Sequence, residues 1–323
     1  MRIFSVIAFL LLISPAAAAD GNTGSWHAGI ARLTVNDDMP FDILVWYPTQ
    51  ADEVPWQAGP FTMPASRDAP FPHGTFPIVL LSHGGGLGGG TPLLLRELAA
   101  SLARQGFVVV APFHGRSGLR ARVGQIKNAL STALANPRIG SHLDPTRVGM
   151  LGYSLGTTVT LELAGAIPNA DHLVTYCAAH PEDAMSCAHA PDGQNGSAAR
   201  PNISSGTAHL SPGPALKAIA LLDPFAVLFQ RPELVSVTIP VLIFRPDRSE
   251  LPAEANASAL AESLPNTPEF HVIAGGHFVF TDVCPVSPRA TSPDVCSDPP
   301  GVDRQTIHQA VNGQLAAFFR AHL

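Results

Sequence analysis

The strongest constraint on the fold is a repeating order of short, wholly apolar runs and longer helical patterns. Residues 76–81 (FPIVLL), 107–111 (FVVVA), 147–152, 216–222, 239–244 and 270–273 read as strands. Helical spacing occupies 91–105, 121–135, 155–166, 254–264 and 303–323, with Pro92 in a first turn and Gly106 as a stop. A strand that is apolar on both sides must be covered on both sides. Alternation with helices then predicts an α/β domain with a mostly parallel central sheet and helices on both faces. Residues 42–47 add an earlier strand ending at Pro48. Segments 48–75 and 167–213, rich in Pro, Gly, Ala, Ser and His, break the rhythm. They read as insertions on one domain, and the second is expected to form a loop-rich lid. No internal repeat is visible.

The N-terminus reads as a targeting segment. Arg2 precedes a short apolar run from Ile3 to Ile13, Ser14-Pro15 breaks it, and Ala17-Ala18-Ala19 offers small residues for cleavage. Residues 1–19 are thus expected to be a signal peptide and 20–323 the mature domain. The run is too short to span a bilayer, and no second stretch approaches that length, so no stable membrane anchor is expected after cleavage. The expected location is periplasmic or secreted. Charge is sparse at 14% of 323 residues, the net charge is −6, and Lys127 and Lys217 are the sole lysines. Without a basic run the chain lacks the usual footprint of a nucleic-acid-binding protein.

Export bears on the four cysteines. In an oxidising compartment an even set predicts disulfides, and the spacing pairs Cys177 with Cys187 and Cys284 with Cys296. The rival is a metal site, since His180 and His189 lie beside the first pair. The segment matches neither a CxxC…CxxC nor a CxxC…HxxxH pattern, and no metal is expected.

Residues 152–156 read Gly-Tyr-Ser-Leu-Gly, a G-x-S-x-G pentapeptide between an apolar strand and a helical segment. That strand–turn–helix context gives the motif its meaning: a sharp turn exposes the Ser154 hydroxyl at the sheet's edge. A serine hydroxyl is a weak nucleophile until a base takes its proton. The chain order Ser…acid…His points to His277, which follows a core strand and the Gly275-Gly276 turn. His172, His180, His189 and His209 fall in the lid, and His308 and His322 on the final helix. Two acids are open. Asp223 follows one strand and Asp247 the next, and the usual station after the later strand favours Asp247. His83-Gly84-Gly85-Gly86 matches an HGGG-type oxyanion loop, so the expected amides are those of Gly85 and Leu155. His83 is expected to anchor the loop.

With these motifs, the chain resembles the α/β-hydrolases. More narrowly it resembles secreted bacterial dienelactone-hydrolase-like proteins, related to platelet-activating-factor acetylhydrolases and polyester-cleaving lipases. The resemblance rests on residues 45–48 (VWYP), 76–84 (FPIVLLSHG), 143–154 (LDPTRVGMLGYS), 177–183 (CAAHPED), 275–278 (GGHF) and 296–301 (CSDPPG). It implies hydrolysis of small or medium carboxylic esters without metal or organic cofactor, with Ser154 as nucleophile and His277 as base. The acetylhydrolases place the acid where Asp223 stands, and the polyester-cleaving relatives near Asp247. Dienelactone hydrolase proper uses a cysteine where this chain has Ser154. An amidase on the same residues, or a non-catalytic binding protein, are the alternative readings.

Overall fold

The computed structural model describes residues 26–85, 90–187, 213–285 and 293–323. The expected signal peptide, His189, His209 and Gly86 lie outside the described residues, as does much of the expected lid.

The strands are β1 (His27–Val35), β2 (Phe41–Thr49), β3 (Trp56–Ala58), β4 (Phe61–Met63), β5 (Ser66–Arg67), β6 (Phe76–Ser82), β7 (Val108–Pro112), β8 (Leu143–Tyr153), β9 (Leu216–Leu222), β10 (Val241–Pro246) and β11 (Glu269–Ile273). The helices are α1 (Arg96–Arg104), α2 (Leu119–Ala135), α3 (Leu155–Leu163), α4 (Ala170–Ala179), α5 (Ala184–Cys187), α6 (Arg231–Leu234), α7 (Ala257–Ser263), α8 (Pro293–Cys296) and α9 (Arg304–His322).

Nine strands form one sheet in the order β11-β10-β9-β8-β6-β7-β2-β1-β5. The run from β11 to β7 is parallel, as the apolar strands require. Strand β2 joins β7 antiparallel, and β1 joins β2 antiparallel. Alternate side chains of each central strand enter different cores. Ile78, Leu80, Val108 and Val110 pack with Val123 and Ile126 of α2, Val159 of α3 and Leu260 of α7. Val79, Leu81, Val109 and Ala111 pack with Leu98 and Leu102 of α1 and with Leu315 and Phe319 of α9. The sheet is therefore buried on both faces, and its carboxyl edge is left for chemistry.

The structure adds detail to one expectation and corrects another. Residues 48–75, read as an insertion, contain a β3–β4 hairpin and the two-residue β5, which pairs with β1. The described part of the lid is not loop-rich: α4 is capped by the Asn169 side chain, which accepts the His172 N–H, and α5 follows it. The lid's one buried residue on α4 is Leu173, so no apolar stripe marked the helix. Both expected disulfides form, Cys177–Cys187 and Cys284–Cys296. Among the described residues, no group of histidines, cysteines and acids could hold a metal, and no helix is long and apolar enough to cross a membrane.

Candidate active site

Ser154 stands between β8 and α3 with φ 52° and ψ −123°, a conformation that L-residues rarely adopt. The turn is held by its own bonds: the Ser154 N–H donates to the Leu222 carbonyl at 3.0 Å, and the Thr157 N–H to the Ser154 carbonyl at 2.9 Å. Close packing makes the flanking glycine obligatory. A Cβ on Gly156 would stand 1.9 Å from the Ser82 carbonyl oxygen. The serine hydroxyl is thereby presented at the carboxyl edge, beside the positive end of α3.

One strand over, Asp223 ends β9 with φ 41°, its N–H bonded to the Phe244 carbonyl at 2.8 Å. His277 opens a short 3-10 turn at 277–280, past the end of β11. These three groups meet. His277 Nδ1 lies 2.6 Å from Asp223 Oδ2, and His277 Nε2 lies 2.9 Å from Ser154 Oγ. A carboxylate accepts only, so Nδ1 carries the proton and Nε2 is free to accept the serine O–H. The pair is buried, with side-chain exposures of 3% for His277 and 1% for Asp223. Ser249 Oγ donates a further bond to Asp223 Oδ2.

Asp247, the acid favoured by station, does not reach the imidazole. Its Oδ1 accepts the Gly275 N–H at 2.8 Å, and it lies beside Arg248 at a half-exposed site. The Gly275 bond, with Arg248, holds its carboxyl below the usual range. Asp247 ties down the turn that carries His277. Gly275 itself has φ 130°, and a Cβ there would meet Val279 Cβ at 2.8 Å. The physical reason for the correction is this turn: it commits Asp247 to backbone and leaves Asp223 facing the ring.

The HGGG loop leaves β6 and passes in front of Ser154. Its Gly84 packs on the elbow, where a Cβ would lie 3.3 Å from Ser154 Cβ. His83 is buried and anchors the loop, as expected. Its Nε2 accepts the His114 N–H at 3.2 Å, so its Nδ1 carries the proton that reaches the Gly84 carbonyl at 2.6 Å. Burial and the Arg122 charge hold the His83 pKa down to about 3, which keeps the ring neutral. Leu155, the first residue of α3, has an N–H without an intrahelical partner by position.

Compared with known proteins, the chain matches no family model and no curated protein. Among solved structures it is similar to a ferulic acid esterase from Streptomyces cinnamoneus. Identity is 18%, the match covers 93% of this chain and 91% of that chain, and the TM-score is 0.60. The chain has the α/β-hydrolase fold. At this identity the likeness is one of fold.

Within that α/β-hydrolase fold, two charged residues near Ser154 and His277 escaped the sequence reading. Glu250 Oε2 accepts the His277 N–H at 2.9 Å. Tyr153 stacks on the His277 ring with centroids 5.2 Å apart, and its O–H donates to the His277 carbonyl at 3.1 Å. Arg122 on α2 is buried and bonds to the His83 and Gly84 carbonyls of the loop after β6. No motif marks Glu250. Arg122 did leave a signal, since it shares the apolar stripe of α2 with Leu119, Val123 and Ile126. Glu250 also lines a cavity of about 860 Å³, together with Tyr176 of α4, Met185 of α5, Val227, Phe229 and Glu254.

Proposed function

We propose that this protein is a serine-dependent carboxylic ester hydrolase working through Ser154, His277 and Asp223. The observation that carries the reading is the unbroken hydrogen-bond run from Asp223 through His277 to the strained Ser154 hydroxyl. Ser154 Oγ attacks the ester carbonyl while its proton passes to His277 Nε2. The charge that then develops on the imidazole faces the Asp223 carboxylate. The carbonyl oxygen becomes an oxyanion, received by the N–H groups of Gly85 and Leu155. Collapse breaks the bond to the alcohol, which leaves with the proton from His277. Water, deprotonated by the same nitrogen, then clears the acyl-enzyme and restores Ser154.

The finer assignment is to the secreted, dienelactone-hydrolase-like and acetylhydrolase-like serine esterases. The substrates are small or medium esters, and the similarity to a ferulic acid esterase adds ferulate esters to the set worth assaying. Removal of residues 1–19 on export would leave a single periplasmic or secreted domain, consistent with the two disulfides.

The test is turnover of p-nitrophenyl acetate, butyrate and octanoate and of methyl ferulate by the mature protein and by Ser154→Ala. Turnover that disappears in the variant supports the reading, and the fall-off with acyl length sizes the pocket. Equal rates in the two proteins would overturn it.

A further inference from the structure

A buried arginine is expensive, because its charge leaves water and must be met by polar groups inside the protein. Arg122 is 2% exposed and sits where an apolar helix residue would serve packing alone. Its fork is spent on backbone. Nε donates to the Ser117 carbonyl at 2.9 Å, and Nη1 to the carbonyls of His83 at 3.1 Å and Gly84 at 3.4 Å. Burial lowers its pKa to about 10, so the guanidinium stays charged at neutral pH.

The Gly84 carbonyl is the informative partner. It belongs to the same peptide plane as the Gly85 N–H, and in a trans peptide these two groups point in opposite directions. Whatever grips the Gly84 oxygen therefore aims the Gly85 amide. Two groups grip it: His83 Nδ1–H and Arg122 Nη1–H. The guanidinium also lies against Gly85 itself. A Cβ there would stand 2.7 Å from Arg122 Nη2 and 2.7 Å from Leu155 Cδ2, so both expected oxyanion residues pack next to this charge.

We propose that Arg122 is the positioning residue of the oxyanion hole, its guanidinium fixing the Gly84–Gly85 peptide so that the Gly85 N–H meets the developing oxyanion. The proposal rests on the reading of Ser154 as nucleophile. It places the effect in the transition state, since the ground-state ester makes no strong demand on that amide. A lysine has the charge but not the fork, and cannot hold three carbonyls in one geometry.

The experiment compares wild type, Ser154→Ala, Arg122→Lys and Arg122→Met. The readouts are kcat and KM for p-nitrophenyl butyrate and the inhibition constant of an aryl trifluoromethyl ketone. The ketone accepts Ser154 Oγ and forms a tetrahedral oxyanion. The expected result for Arg122→Met is a kcat lower by about 10²-fold, the scale of a misplaced catalytic group. KM should change little, and the ketone should bind more weakly by the same factor as kcat/KM. Arg122→Lys should lose about tenfold, between the two. A merely structural role would lower the melting temperature and leave kcat and ketone affinity unchanged well below melting, which would overturn the proposal. Should Arg122→Met fail to fold, Arg122→Lys decides alone, and a wild-type kcat there overturns it. Equal turnover by wild type and Ser154→Ala would instead sink the esterase reading, and the Arg122 role with it.

Discussion

Asp223 and Asp247 each stand at the carboxyl end of a strand, on neighbouring strands of one sheet, and only their partners separate them. Asp223 faces His277 Nδ1, and Asp247 faces the Gly275 N–H. Asp223→Asn should therefore lower kcat by on the order of 10⁴, because the amide can stabilise the wrong imidazole tautomer. Asp247→Asn, which can still accept from Gly275 through its amide oxygen, should stay close to wild type. Parallel kinetics of the two variants on p-nitrophenyl butyrate decide this, and the reverse ranking would reassign the acid. Glu250 offers a finer test at the same scale. Glu250→Ala removes the acceptor of the His277 N–H and should cost on the order of tenfold in kcat, whereas Glu250→Gln keeps an acceptor and should recover most of it. Ser154, His277 and the two candidate acids stood out in the sequence because each follows a strand and lies within two residues of glycine or proline. The choice between the acids was not legible, since it depends on which way a half-exposed turn folds back.

At the scale of elements, the elbow depends on α3 approaching the loop after β6. Gly156→Ala would force a Cβ to within 1.9 Å of the Ser82 carbonyl, so this variant should fail to accumulate as folded protein. Soluble expression and melting curves read this directly. The disulfide Cys177–Cys187 ties the end of α4 to α5 across 10 residues. Its loss should cost about 3 kcal/mol by loop entropy, seen as a lower melting temperature in Cys177→Ser/Cys187→Ser. The central strands could be read from sequence because burial on both faces leaves them continuously apolar. Strand β1 could not, for its sequence HAGIARLTV mixes Arg32 and Thr34 with apolar residues near the sheet's edge. The helix α4 was missed because its core contact is Leu173 alone, and the β3–β4 hairpin because three-residue strands carry no period.

Across the whole molecule, stability should depend on pH through two carboxyls that burial shifts and that take no part in the hydrogen bonds of Ser154, His277 and Asp223. Asp282 joins the turn after His277 to α1: its Oδ2 accepts the Glu97 N–H at 2.9 Å and Arg96 Nη1 at 3.3 Å. Its Oδ1 has no partner, and burial raises its pKa to about 8. Burial likewise raises Glu162 to about 7. A raised carboxyl pKa means that the folded state prefers the neutral form. That stability is fully present below the unfolded pKa and is lost as pH rises through the folded value. Melting temperature should therefore fall as pH rises through about 7 and about 8, and Asp282→Asn should flatten the decline. Parallel curves for the two proteins would contradict this. None of it was visible in the sequence, where Asp282 is one acid among 25 and its burial follows from the packing of distant segments.

The most direct test of the central claim is the intact mass of the protein quenched during turnover of a p-nitrophenyl ester, followed by peptide mapping. The account predicts one added acyl group on the peptide containing Ser154, absent in Ser154→Ala and accumulating when His277 is replaced only if acylation still proceeds. Rapid ester turnover with no acyl adduct and no loss of rate in Ser154→Ala, or an adduct on another residue that turns over at the steady-state rate, would contradict it.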